Sequence, residues 1–115
     1  MYEMPVSNAG ARCRMIIYYK GIDEVAIQSP GELGGLRSPE FLALNPQGKM
    51  PLLVTEEGTA IYESDTIARY LLDRFSGVGD SLIGDTLELR TLSDSISRHH
   101  DMYMQVSTGV PREPC

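Results

Sequence analysis

Cysteine is scarce and unpaired in this sequence. Cys13 and Cys115 are the two among 115 residues, with no C-x-x-C and no metal-ligand spacing. A disulfide scaffold, a dithiol reductase centre and a zinc site are therefore not expected, and a reducing compartment is the default. No apolar run approaches the about 18 residues a membrane span requires, so no membrane insertion is expected. The start lacks a basic segment leading into an apolar one, so no secretory signal is read. The expected location is cytoplasmic, or an organelle interior after removal of a transit peptide outside this numbering. Basic residues are also the minority, 10 against 16 acidic, for a net charge of −6. With no basic cluster to neutralise phosphates, neither nucleic acid nor an anionic membrane surface is an expected partner. No internal repeat or low-complexity tract is present. What remains is an ordinary globular composition, 42% hydrophobic and 23% charged, in a length of one domain or little more.

The most informative stretch runs from Asn45 to Phe75, NPQGKMPLLVTEEGTAIYESDTIARYLLDRF. Its loop, Asn45 to Pro51, is punctuated by Gly and Pro. Two apolar segments of strand length, Leu52-Leu53-Val54 and Ala60-Ile61-Tyr62, flank a Glu56-Glu57-Gly58 turn and predict a β-hairpin. Ile67, Tyr70, Leu71 and Phe75 then recur at helical spacing behind Ser64 or Asp65 as N-cap. A helix opening on Ser64 offers unpaired N–H groups and partial positive charge, so it can hold a carboxylate. Lys49 offers a cation beside Pro51. The Met50–Pro51 bond is a candidate cis peptide, a geometry that leaves the backbone of Met50 free to pair with an extended ligand. A short peptide with a carboxylate at each end fits this layout.

Upstream, Met1 to Val6 reads as a strand. Ala11 to Lys20 reads as a helix stopped by Gly21, and Glu24 to Gln28 as a second strand. Ser29 to Arg37 is a Gly-rich loop, and Ser38-Pro39-Glu40 opens a short helix ending at Leu44. The order is β-α-β-α-β-β-α, with the first two strands parallel through a right-handed crossover. Downstream, Gly, Ser and Asp dominate a linker over 77–86. A helix is predicted from about Thr86 to Val106, with Leu89, Leu92, Ile96 and Tyr103 along one face. Ser107 to Cys115 shows no periodicity.

N-P-x-G-K-x-P-x-L, a hairpin, then E-S-x-x-I-x-x-Y-L resembles the glutathione-binding half of the soluble glutathione S-transferases. The resemblance implies a thioredoxin-like α/β domain over 1–76 with a mixed four-stranded sheet. Residues 87–115 would then be a partial all-helical second domain. It implies glutathione as cosubstrate, a small electrophile as second substrate, and no tightly bound cofactor or metal.

The same resemblance gives roles to particular residues. Ser7, at the first strand–helix junction and five positions before Arg12, would hydrogen-bond the glutathione thiol and favour thiolate. The competing reading is a simple N-cap. Lys49 would meet the glycyl carboxylate, Met50 would act through its backbone, and Pro51 through its cis bond. Glu63 and Ser64 would grip the γ-glutamyl end, Ser64 either alongside or in place of capping. Cys13 reads as a buried small hydrophobe rather than a nucleophile. Tyr2 is expected to pack in its strand, and His99 and His100 to be surface or interface residues.

Two functions stay open on the sequence. One is a Ser-type glutathione transferase. The other is a non-catalytic module of a larger assembly, supported by the absent helices and by the apolar stripe on the last helix, which calls for a protein partner or a homodimer.

Overall fold

Ser7 sets where the first helix begins. Its Oγ accepts the Gly10 N–H at 2.9 Å, and helix α1 runs Asn8–Lys20, starting ahead of the predicted Ala11. It ends at Gly21, whose φ of 69° allows Ile22 N–H to close back on the Ile17 carbonyl at 2.9 Å. The computed structural model describes residues 1–104, which divide into a unit Met1–Ser81 and a second unit beginning at Leu82.

In the first unit, helix α2 (Pro39–Leu44) starts as the Ser-Pro-Glu signature predicts, with Ser38 Oγ accepting the Phe41 N–H at 3.1 Å. Strands β1 (Leu52–Val54) and β2 (Ala60–Tyr62) form the predicted hairpin, in register Leu52↔Tyr62. Helix α3 (Ser64–Arg74) follows. The two earlier strands are reduced to single bridges: Tyr2 pairs parallel with Gln28 and antiparallel with Leu52. The mixed four-stranded order survives, but only the hairpin is regular sheet. The cause is local, because the chain turns at once, Ser7 N–H reaching the Met4 carbonyl at 2.9 Å, and Pro5 has no N–H to give a ladder.

The expected loop at 29–37 contains a 3-10 helix, Pro30–Leu33. Ser29 caps it through the Gly31 N–H at 3.1 Å, so a Ser-Pro start with an acidic residue in the first turn serves here as well as at α2. Gly34 and Gly35, at φ 92° and 100°, stop it after one turn.

Side chains alternate across the sheet. Met1 and Leu53 join Cys13 and Ile17 of α1 and Ile67 and Leu71 of α3 in one buried cluster. Tyr2 instead meets Phe41 of α2 edge-on at 6.5 Å between ring centres, which puts α2 on the far face. Truncating Ile67 or Leu71, each fully buried, costs about 2–5 kcal/mol. Lys20 Nζ donates to the Asp80 carbonyl at 2.9 Å and ties the linker down. A Cβ at Gly79 would stand 2.6 Å from the Lys20 carbonyl oxygen, so glycine is needed there.

In the second unit Thr86 caps helix α4 (Leu87–His99), and a π-helical turn, His100–Met104, follows. The helix was expected to reach Val106, and residues 105–115 lie outside the described part. Leu87, Leu89, Leu92 and Ile96 are all exposed. His100 Nδ1 and Asp101 Oδ1, on neighbouring residues, lie 3.2 Å apart where the backbone widens into that turn. Among the described residues no helix is long and apolar enough to cross a membrane.

Candidate functional site

The register of the sheet brings the predicted site residues to one end. Leu52 is opposite Tyr62 on one side and Tyr2 on the other. At that end β1 is entered from Met50 and Pro51, β2 leads through Glu63 into the start of α3, and Tyr2 leads through the turn at Met4 to Ser7 and the start of α1. The Met50–Pro51 peptide is cis. No hydrogen bond among the described residues engages the amide or carbonyl of Met50. An unfilled length of backbone edge therefore lies between the starts of α1 and α3.

The loop carrying Lys49 is held by a residue to which the sequence reading gave no role. Asn45 is 1% exposed; its Nδ2 donates to the Lys49 carbonyl at 2.8 Å and its Oδ1 accepts the Gln47 N–H at 3.2 Å. An Asn ahead of Pro and Gly is the available signal, since its side chain can close a turn on the backbone two residues on. Gly48, at φ 61°, packs so closely that a Cβ would lie 3.0 Å from the Leu36 carbonyl oxygen. Lys49 is thus held by its backbone while its side chain stays exposed.

At the other end, the cap assignment needs correction. Ser64 is the first residue of α3, and Glu63 occupies the N-cap position without any side-chain cap bond. Glu63 is the one non-glycine residue with positive φ among the described residues, at 73°. Such backbone strain concentrates where a site must be presented. No side chain closes the first turn of α3, so its N–H groups are available to an anion.

The Ser64 hydroxyl, on a buried residue and not used in capping, accepts from Arg12 Nη1 at 3.2 Å, which leaves its own O–H to donate. Cys13 donates its S–H to the Ser64 carbonyl at 3.4 Å. Asp65 does not cap either. It pairs with Arg69 at 2.9 Å and stands 4.0 Å from Arg12.

Ser7 is partly exposed and Asn8 exposed. Because Ser7 Oγ accepts from Gly10, its hydroxyl proton is the part left to give. Cys13 is fully buried, and burial pushes its thiol up to about 12, with Arg12 opposing and Glu3 and Asp65 adding. It is a neutral thiol at physiological pH, inert as a nucleophile. Among the described residues no cluster of His, Cys, Asp and Glu could hold a metal ion. A cavity of about 580 Å³ lies at the far end of the sheet, lined by Met1, Val54, Tyr70 and Phe75, and none of the predicted site residues lines it.

Comparison with known proteins bears on this arrangement. The profile of the family described as "Glutathione S-transferase, N-terminal domain" matches residues 1–79. Glutathione S-transferase 3 of Zea mays is 30% identical over 102 residues, covering 87% of this chain and 46% of that protein. Elongation factor 1-gamma 3 of Oryza sativa subsp. japonica is 46% identical over 69 residues, covering 56% of this chain and 16% of that protein. The crystal structure of a glutathione S-transferase domain-containing protein from Marinobacter aquaeolei VT8 superposes with a TM-score of 0.75 at 28% identity. That match covers 90% of this chain and 51% of the other. The chain spans less than half the length of curated relatives such as the maize transferase.

Proposed function

The chain belongs to the glutathione S-transferase family, and from that premise we propose that it binds glutathione along the Met50 edge and activates its thiol beside Ser7. The observation carrying the reading is the unfilled backbone of Met50, just ahead of the strand whose two neighbours lead into the starts of α1 and α3. A cysteinyl unit pairs its N–H and C=O with Met50, as a strand added to a sheet edge does. The γ-glutamyl carboxylate takes the Ser64 amide and hydroxyl, and Glu63 meets the amino group. Lys49 meets the glycyl carboxylate. This geometry delivers the sulfur toward Ser7, whose O–H donates to it. That hydrogen bond and the positive end of α1 both favour thiolate at neutral pH. The thiol proton leaves to solvent, and the sulfur lone pair forms a C–S bond to the chlorine-bearing carbon of an electron-poor aromatic ring while the C–Cl bond breaks and chloride departs with its electron pair, with positioning supplying the rest of the acceleration.

The test is retention on immobilised glutathione, followed by conjugation of a chloronitroaromatic electrophile. Retention with turnover is expected; a chain that glutathione neither retains nor elutes overturns the proposal.

A second reading, a non-catalytic glutathione-transferase-like module of a larger assembly, is favoured by one observation. Identity to elongation factor 1-gamma 3 is 46% over its matched segment, against 30% to the maize transferase. The exposed Leu89, Leu92 and Ile96 suit a protein partner. Glutathione binding without conjugation, together with a stable complex, selects this reading.

A further inference from the structure

The first turn of α1 sits over a buried carboxylate. Glu3 is 4% exposed, and both its oxygens receive Arg14 Nη1 at 2.7 Å. Arg14 Nη2 also reaches the Pro5 carbonyl at 3.5 Å, within the turn that leads to Ser7. A Cβ at Gly10 would stand 2.5 Å from Glu3 Oε2, so glycine is what lets the carboxylate lie against the helix there. Gly10 is also the residue whose N–H binds Ser7 Oγ. The carboxylate and the Ser7 hydroxyl thus flank the same helical turn.

A helix N-terminus attracts one anion and is partly neutralised by it. Helix α1 has no acidic residue of its own in its first turn, so Glu3 is the anion placed there by the chain. A thiolate beside Ser7 would compete with it for the same positive end. The field of Glu3 is felt across this helix, since it is among the charges that push the Cys13 thiol up. The other charged groups on the elements around it are Arg12 and Lys20 on α1, Asp65, Arg69, Asp73 and Arg74 on α3, and the Met1 ammonium, which donates to the Ala26 carbonyl.

Resting on the reading that glutathione sulfur lies beside Ser7, we propose that Arg14 is a positioning residue that neutralises Glu3 and so keeps the start of α1 positive enough to hold a thiolate. It touches no substrate. It acts through Glu3 and through the Pro5 carbonyl.

The experiment uses the full chain. Calorimetry first establishes that the parent binds glutathione, and the ultraviolet thiolate band of the bound peptide is then titrated against pH. Arg14→Met should raise the apparent pKa of the bound thiol by about one unit, a tenfold loss of thiolate at neutral pH. Glu3→Gln/Arg14→Met should restore the parental titration. Glu3→Gln alone should lower the pKa, and it remains readable if Arg14→Met fails to fold. Parental titration in both Glu3→Gln and the double variant, or a double variant as impaired as Arg14→Met, overturns the proposal whatever happens to Tm. A parent that binds no glutathione overturns the functional reading and this one with it, and calorimetry identifies that outcome separately.

Discussion

Asn45→Ala tests whether the Lys49–Met50 segment is held from beneath. The side chain makes two hydrogen bonds, to the Lys49 carbonyl at 2.8 Å and from the Gln47 N–H at 3.2 Å, while its own backbone groups pair with Phe41 and Gly48 independently. Each lost side-chain bond is worth about 1 kcal/mol net. Gln47 and Lys49 are exposed, so water can satisfy the groups left behind and the loss stays near about 2 kcal/mol. For a domain of this size that is on the order of 10 °C in Tm. Lys49 and the Met50 edge are lost from register together, so KM for glutathione should rise more than kcat falls. Asn45→Asp is a sharper variant. It keeps the acceptor for Gln47 but turns an anion toward the Lys49 carbonyl in a buried place, and at pH 7 it should be at least as destabilising as alanine. Thermal melts and glutathione saturation curves read both effects. An Asn45→Ala chain with parental Tm and parental KM would show that Pro46 and Gly48 hold the loop unaided, and the account of the site floor would be wrong.

Ser7→Ala should lower kcat/KM for conjugation by about 100-fold, the scale for removing one donor to a developing anion, with affinity for glutathione near parental by calorimetry. Unchanged rates would remove Ser7 from the chemistry. Losing the cap also costs about 1 kcal/mol, which a melt will register separately. Lys49→Met should raise KM for glutathione about fivefold at low salt, as expected of an exposed ion pair worth about 1 kcal/mol, and the gap should close as salt is added. A difference that ignores ionic strength would point to something other than charge. Cys13 supplies a pH dependence. Its folded thiol, raised to about 12, stays protonated where the unfolded thiol ionises from about pH 9, so the unfolded chain holds fewer protons. Stability should therefore fall by about 1.4 kcal/mol per pH unit between those values. In a Cys115→Ser background, Cys13→Ala should flatten that slope in urea titrations, and an unchanged slope would assign it to other groups.

The first unit, Met1–Ser81, was legible from sequence because its signals are local. The hairpin, the Gly21 stop, the Ser38-Pro39 start and the loop around Lys49 each depend on residues within a few positions of one another, and each appears in the fold. The supporting contacts were not legible because they join distant positions. Arg12 reaches Ser64 across 52 residues, and nothing in either neighbourhood announces the other. That one bond also explains the misread cap. Ser before a helical pattern is correctly taken as a capping signal, but the hydroxyl is claimed by a guanidinium from another helix, and the backbone instead turns through positive φ at Glu63. The consequence is functional. A capped helix keeps its first N–H groups for itself, whereas α3, begun without a side-chain cap, has them to offer, and Arg12 leaves the Ser64 proton to be donated as well. The same long-range logic covers Glu3 and Arg14. Read singly, they are a charge in a strand and a charge on a helix. Joined beneath Gly10, they form the pair on which the proposal for the field at Ser7 rests.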